Sequence, residues 1–219
     1  MRPITASQVE TLTVATTMYH SAIWQAGDYL ERRGISEESA STFQLGVVSD
    51  PVPGHERYDG WISIPYLGVS ADGEDQCWSI RFRCIQDHSC KELKHGKYQT
   101  LSGDASRLYN ARVIKDAGSS IHITEGELDA IILNQCGLPA VAVPGANSWK
   151  YHYTRLLAGF NRVFIWGDPD AAGAEFVTTV SNAVRASAAV KLTLGDVNDT
   201  FLQGGKAAIL EAMEGVRWG

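Results

Sequence analysis

Between residues 119 and 199 the chain alternates short apolar runs with longer amphipathic segments, and this alternation restricts the possible folds more than any other feature. The apolar runs read SSIHITEG, PAVAVPG, RVFIWGD and AAVKLTLGD, and the segments between them carry apolar residues at helical spacing. Strands that are almost continuously apolar and alternate with helices predict a parallel sheet covered by helices on both faces. We therefore expect an α/β domain with a four-stranded parallel sheet.

The N-terminal part has a different pattern. Residues 9–33 show helical spacing, Gly34 is placed to end that helix, and Ser36 is a suitable N-cap for a short second helix. Residues 61–85 predict a β-hairpin with ADGED as its turn, and residues 86–110 are polar and irregular. This part is expected to be a smaller α+β subdomain.

The length of 219 residues fits two small domains, which we place at residues 1–117 and 118–219. No window approaches 18 uninterrupted apolar residues and the N-terminus lacks a secretory signal, so we expect a soluble, cytoplasmic protein without a membrane partner. The net charge of −6 argues against a nucleic-acid partner, but it is an average over the whole chain and hides a basic segment. Residues 81–115 hold eight basic and three acidic residues, a local charge of +5.

Acidic residues follow three of the four predicted strands. They are Glu125 after the first, Asp168 and Asp170 after the third, and Asp196 and Asp199 after the fourth. The carboxyl ends of parallel strands meet at one edge of a sheet, and carboxylates gathered there suit Mg²⁺ or Mn²⁺. The alternative for each acid is a helix N-cap, and for Asp199 that alternative is equally well supported.

Five cysteine and histidine residues lie close together in the sequence: Cys77, Cys84, His88, Cys90 and His95. These ligand types suit zinc, but the segment has no C-x-x-C spacing. The alternative interpretation is two strand cysteines followed by a loop that happens to be polar. The sequence leaves both interpretations open.

Two motifs resemble the TOPRIM domain, which DnaG-type primases, topoisomerases, OLD-family nucleases and recombination mediators share. EGELDA, from Glu125 to Ala130, resembles its E-G-x-x-D-A signature. DPDAAG, from Asp168 to Gly173, resembles its D-x-D-x-x-G motif. The resemblance implies a Rossmann-like four-stranded sheet and divalent-metal phosphodiester chemistry.

The N-terminal part resembles the polymerase core of DnaG-type primases. The YLERRGI segment resembles the opening of that core. The stretch before TOPRIM in those enzymes is resembled by Ile64-Pro65, the hairpin, RFR at 81–83 and GKY at 96–98. The segment DVNDTFL at 196–202 resembles a form common in phage primase-helicases. The resemblance runs from about residue 25 to 205. Residues 1–25 contain no cysteine, and no G-x-x-x-x-G-K-[ST] loop occurs, so the likeness is to a phage-type, stand-alone core without zinc ribbon or helicase motor.

The resemblance implies roles for individual residues. Catalysis would rest on Glu125, Asp168 and Asp170, with Glu125 also transferring a proton. Metal binding would involve Glu125, Asp129, Asp168, Asp170, Asp196, Asn198 and Asp199. Nucleotide or template binding would involve Arg81, Arg83, Lys97, Tyr98, Gly126 and Gly173.

The expected function is that of a DNA primase, a nucleotidyltransferase that synthesises RNA primers from ribonucleoside triphosphates on single-stranded DNA during replication. The expected cofactor is Mg²⁺ or Mn²⁺, and a replicative helicase and a separate zinc-binding primase subunit are expected partners. A TOPRIM nuclease would use the same acids but would not need the RFR and KY segments. A non-catalytic subunit that binds single-stranded DNA is the third interpretation.

Overall fold

The computed structural model describes residues 4–70, 72–145 and 148–218, so residue 71 of the predicted hairpin turn lies outside the described residues. The chain divides into two compact units, Met1–Arg32 with Ser36–Ala105, and Arg33–Ile35 with Ser106–Gly219. The second unit therefore begins earlier than the expected boundary at residue 118.

The earlier division has a physical reason in the segment that precedes the parallel sheet. Leu108 is buried in the core of the second unit, and the Tyr109 amide donates to the Ala142 carbonyl at 2.8 Å. This segment is therefore part of the second unit, although its composition resembles that of the polar stretch before it.

The first unit is an antiparallel sheet with helices. Its elements are α1 (Ala6–Ser21), a 3₁₀ turn (Ile23–Ala26), α2 (Gly27–Arg32), α3 (Glu37–Thr42), β1 (Gly46–Val47), a 3₁₀ turn (Glu56–Tyr58), β2 (Ile62–Val69), β3 (Asp75–Arg83) and β4 (Tyr98–Thr100). The sheet order is β1-β2-β3-β4, and β2 with β3 confirms the predicted hairpin. The single N-terminal helix expected from the pattern is divided, because the backbone leaves helical geometry at Ala22 (φ −101°, ψ 9°).

Side-chain alternation along β3 separates the core of this unit from a polar face. Phe82 is fully buried and stacks on Tyr58 with ring centroids 3.9 Å apart. Successive residues of a strand point to opposite faces of the sheet, so Arg81 and Arg83 lie on the face opposite Phe82. The hairpin thereby places two arginines side by side.

The second unit is an α/β structure that confirms the predicted fold class. Its elements are a 3₁₀ turn (Ala111–Lys115), β5 (Ser120–Thr124), α4 (Glu127–Gln135), β6 (Ala140–Ala142), α5 (Tyr151–Leu157), β7 (Arg162–Trp166), α6 (Ala171–Ala183), β8 (Ser187–Ala189) and α7 (Val197–Glu214). The four strands are parallel and lie in the order β6-β5-β7-β8. Among the described residues, no helix has both the length and the apolar character that crossing a bilayer requires.

The last strand is shorter than the apolar run at 188–196 predicts. Ala189 pairs with Ile165, and β7 ends directly afterwards, at Trp166. An edge strand has one neighbour, so pairing along β8 stops where β7 stops. The segment between Ala189 and α7 is therefore an irregular connection.

Candidate active site

Strand register brings the first and third acidic segments together at the carboxyl edge of the parallel sheet. Thr124, the last residue of β5, pairs with Trp166, the last residue of β7. Glu125 follows directly, and its Oε1 accepts a hydrogen bond of 3.1 Å from the Asp168 backbone N–H. The convergence expected from the sequence is present for these two residues.

The electrostatics of the edge show that further acids lie nearby. Burial raises the pKa of Asp168, and the neighbouring carboxylates of Asp196, Asp170 and Asp199 raise it further. Burial also raises the pKa of Glu125, to about 7, and the neighbouring carboxylates of Asp168 and Asp170 make smaller contributions in the same direction. Five of the predicted metal ligands therefore form one mutually repelling group, which we call the acidic edge: Glu125, Asp168, Asp170, Asp196 and Asp199.

Two members of the acidic edge also cap helices. Asp170 Oδ1 accepts from the Gly173 N–H at 2.8 Å at the start of α6, and Asp196 Oδ1 accepts from the Asp199 N–H at 2.7 Å at the start of α7. The N-cap alternative is thus correct for these two residues, whereas Asp199 is not the cap. A carboxylate has two oxygens, so capping one helix N–H is compatible with binding a cation.

Two glycines predicted to bind nucleotide lie close to acidic residues. Gly173 is buried, and a Cβ there would lie 2.0 Å from the Asp168 carbonyl oxygen. At Gly126 a Cβ would lie 2.6 Å from Asp129 Oδ2, which places that carboxylate against the start of α4. Both glycines therefore allow the close approach of Asp168 and Asp129, and nucleotide binding at either glycine stays a prediction.

Asn198 is a further correction, because it is buried and its side chain is occupied by the Arg33–Ile35 segment. The Asn198 amide donates to the Arg33 carbonyl, and its Oδ1 accepts from Arg33 Nη1 at 3.2 Å. An oxygen held in this way is not positioned as a metal ligand. The D-x-N-D pattern gave no sign of this, since the partner is far away in the sequence.

Replacing Asn198 by alanine is expected to lower the free energy of unfolding by about 1–3 kcal/mol, because it leaves buried partner groups unsatisfied. The affinity of the acidic edge for Mg²⁺ should stay within about twofold of wild type. Urea denaturation and Mg²⁺ titration measure the two quantities. A large loss of Mg²⁺ affinity without loss of stability would restore Asn198 as a ligand.

The raised pKa of Glu125 predicts a pH dependence of stability in the metal-free protein. Glu125 titrates near its ordinary value of 4.5 when unfolded and at about 7 when folded. Between these values unfolding releases a proton, so its stabilising contribution is complete below pH 4.5 and is lost as the pH rises through 7. Urea denaturation across this range should show a slope that Glu125→Gln reduces. Equal slopes in both proteins would contradict the assignment.

The predicted nucleotide-binding residues of the first unit cluster around Tyr98. The Arg81 and Arg83 guanidinium carbons lie 4.7 and 4.6 Å from the Tyr98 ring centroid, within the range of cation–π interactions. Lys97 is exposed and its carbonyl accepts from the Cys84 N–H at 2.9 Å. These four neighbouring residues form what we call the basic face: Arg81, Arg83, Lys97 and Tyr98.

Within the basic face, Arg83 does not have the predicted role of a direct nucleotide contact. It is only 4% exposed, it donates to the Tyr98 hydroxyl, and its guanidinium carbon lies 5.4 Å from the Tyr29 ring centroid. Arg83 therefore positions Tyr98. The sequence motif RFR does not distinguish this buried arginine from Arg81, which is partly exposed.

The structure divides the five cysteine and histidine residues into two groups. Cys84, His88, Cys90 and His95 lie together, with their ligand atoms within 4.8 Å of one another. Cys77 is fully buried elsewhere, and its thiol donates to the Ser79 carbonyl at 3.1 Å. This removes Cys77 from the predicted set of zinc ligands.

Comparison with known proteins finds one phage relative and two bacterial relatives. No family model matches it. It is 37% identical over 155 residues to Gene 57 protein of Mycobacterium phage D29, in a match that covers 70% of this chain and 98% of that protein. The chain belongs to the Gene 57 family. It is also 26% identical over 194 residues to DNA primase of Helicobacter pylori strain J99, and here the match covers 74% of this chain but only 34% of the primase.

Solved structures show the same fold. The RNA polymerase domain of Mycobacterium tuberculosis primase DnaG aligns with a TM-score of 0.74 and 18% identity, over 97% of this chain and 84% of that one. A DnaG catalytic domain bound to single-stranded DNA gives 0.69 and 19%, over 94% and 78%. The primase fragment of bacteriophage T7 primase-helicase gives 0.63 and 22%, over 84% and 73%. The chain therefore has the fold of a DnaG-type primase catalytic core.

Proposed function

We propose that the chain is a DNA primase, which joins ribonucleotides into short RNA primers on single-stranded DNA. The observation that carries the proposal is the acidic edge, which lies at the carboxyl ends of the parallel strands in a fold of the DnaG type. The sequence similarity to H. pylori DNA primase supports the same activity. We assign the second unit as a TOPRIM-type domain and the activity to the nucleotidyltransferases.

The acidic edge fits a divalent cation such as Mg²⁺ or Mn²⁺. Its donors are hard carboxylate oxygens, and partial burial, followed by their mutual repulsion, raises the pKa values of Glu125 and Asp168. Asp168 and Asp170 would hold the cation, with Glu125, Asp129, Asp196 and Asp199 beside them. When bound, the cation supplies electrostatic stabilisation for the charge that develops on the phosphate oxygens.

The chain's own residues have separate tasks in this reaction, in which a ribose 3′-hydroxyl attacks an α-phosphate and pyrophosphate leaves. Glu125, which lies at the carboxyl edge beside the Asp168 backbone N–H, is suited to accept the hydroxyl proton. Arg81 and Lys97 would bind phosphate groups, and Tyr98 would stack on a base. Arg83 keeps Tyr98 in place for that stacking.

We propose a single-stranded DNA template and ribonucleoside triphosphates as the substrates. A replicative helicase and a separate zinc-binding primase subunit are the protein partners that we propose. A DnaG domain bound to single-stranded DNA and a phage primase-helicase fragment among the structural neighbours support the template and the helicase. The likeness to a phage protein supports a phage gene, and we place the activity in the cytoplasm of the bacterial host.

Primer synthesis by the purified chain tests the proposal. Labelled ribonucleotides and Mg²⁺ or Mn²⁺ are supplied with single-stranded DNA, with and without a candidate helicase. A second template carries an annealed oligoribonucleotide, so that extension does not depend on an initiation sequence. Template-dependent oligoribonucleotides are expected. Cleavage of the template without synthesis would instead identify a nuclease, and DNA binding with neither product would identify a binding module.

A further inference from the structure

The loop between β3 and β4 brings together four side chains that are common zinc ligands. Cys84 Sγ lies 3.4 Å from His88 Nε2, and His88 Nε2 lies 2.9 Å from His95 Nε2. The ligand atoms of these three residues and of Cys90 all lie within 4.8 Å of one another. We propose that Cys84, His88, Cys90 and His95 bind one Zn²⁺ ion.

The two distances at His88 are close to those of tetrahedral coordination, and the widest separation, of up to 4.8 Å, needs a contraction of about 1 Å. Zinc lies about 2.3 Å from thiolate sulfur and about 2.0–2.1 Å from imidazole nitrogen, so neighbouring ligand atoms are separated by roughly 3.3–3.8 Å. The sulfur–nitrogen distance of 3.4 Å is within this range, and the nitrogen–nitrogen distance of 2.9 Å needs only a small outward movement. Two cysteines and two histidines fill all four positions, which is typical of a structural site.

The surroundings of His95 favour the ligating form of its ring. Its Nδ1 lies 3.2 Å from the Gly96 carbonyl oxygen, which can only accept a hydrogen bond. A proton on Nδ1 leaves the lone pair of Nε2 directed at the cluster, and such support by a carbonyl is usual for histidines that bind zinc. Cys84 and Cys90 are both free thiols, so neither is used in a disulfide.

The loop is held by turns and by the His95 ring, whose centroid lies 5.1 Å from that of Trp61, while residues 91–94 are exposed. Leu93 is 61% exposed, and the backbone turns back through a left-handed Lys94 (φ +55°) and a hydrogen bond of 3.0 Å from the His95 N–H to the Cys90 carbonyl. A bound ion would fix residues 84–95 at four points, and because its ligands come together only in the folded chain, its binding free energy would add to the stability of the fold.

The position of the site suggests what the ion stabilises. Cys84 directly follows Arg83 at the end of β3, and β4 begins at Tyr98 soon after His95. Zinc would therefore hold β4 against β3 and keep Tyr98 beside its two arginines. The metal site does not depend on primase activity, whereas the use of Tyr98 to stack on a base rests on the proposed function.

Zinc content of the purified full chain tests the site directly. Protein expressed and purified without added metal should contain about one zinc per chain by elemental analysis. The Cys84→Ser/Cys90→Ser and His88→Asn/His95→Asn double variants should contain almost none. Cys136→Ala and His152→Asn are matched controls outside the cluster and should keep the wild-type zinc content. Reconstitution with Co²⁺ should give the visible absorption of tetrahedral thiolate coordination in wild type. The two double variants should not show this absorption.

A measurement of stability covers the case in which a variant folds poorly. A zinc-selective chelator should lower the thermal midpoint of wild type by roughly 5 °C or more, and added Zn²⁺ should restore it. Wild-type protein that binds no zinc, as purified or after addition, would overturn the proposal. Zinc retained by the Cys84→Ser/Cys90→Ser variant would do the same, because the ion would then be bound elsewhere.

Discussion

Replacing Asp168 by asparagine, or Glu125 by glutamine, is expected to reduce the rate of primer synthesis by roughly 100- to 10,000-fold. Each change keeps the shape of the side chain but removes a negative charge from the acidic edge. The two residues are in contact there, because the Asp168 backbone N–H donates a hydrogen bond to the Glu125 carboxylate. The rate of labelled ribonucleotide incorporation on single-stranded DNA, at saturating Mg²⁺, measures the effect. Both variants should also require more Mg²⁺ for half-maximal residual activity.

Glu175→Gln is the matched control for charge removal. Glu175 is exposed on α6, in the same unit as Asp168, and follows the acidic edge closely in the sequence. This control should keep the wild-type rate within about twofold. Retention of more than about a tenth of the wild-type rate by folded Asp168→Asn would contradict the assigned role. Urea denaturation of each variant shows whether it is folded.

The position of the acidic edge could be predicted because it depends on a general property of parallel sheets. Acids that follow strands meet at the carboxyl edge whatever the details of packing, and Glu125 and Asp168 meet there as expected. The hairpin could be predicted for a similar reason, since alternation and a turn sequence specify it locally. These features do not require knowledge of distant partners.

Roles that depend on distant partners could not be predicted. Asn198 resembles a ligand in the D-x-N-D pattern, but Arg33, far away in the sequence, occupies its amide. Arg83 resembles Arg81 in the RFR motif, but only the structure shows that Tyr29 and Tyr98 enclose it. In each case the sequence shows the residue type and tertiary packing determines its use.

The cysteine and histidine residues are a third case, in which the sequence spacing does not show how close the side chains lie in the fold. Their spacing is irregular, because Cys84 lies just after a strand and the other three ligands lie in a folded loop. Pattern recognition depends on ligands placed regularly in one local element, so this arrangement gave only a weak signal. A backbone hydrogen bond from the His95 N–H to the Cys90 carbonyl brings these two residues together, and nothing in the spacing predicts this bond.

Gly173→Ala is expected to lower the free energy of unfolding by about 3 kcal/mol or more, although it adds a single methyl group. A Cβ at this position would lie 2.0 Å from the Asp168 carbonyl oxygen and 2.6 Å from the Asp168 nitrogen. Both are backbone atoms and cannot rotate away, so the first turn of α6 must move from the end of β7. Urea denaturation of wild type and variant measures the loss.

The same movement should impair the acidic edge, because Asp170 caps α6 through the Gly173 N–H and the Asp168 N–H donates to Glu125. Primer synthesis by folded Gly173→Ala should therefore fall at least about tenfold. Gly159→Ala is the matched control, since that exposed glycine has nothing within 4 Å of the added carbon. It should change stability by no more than about 0.5 kcal/mol. Equal stability of the two variants would show that the first turn of α6 can move without cost, and the close approach of Gly173 to Asp168 would then not hold the acidic edge together.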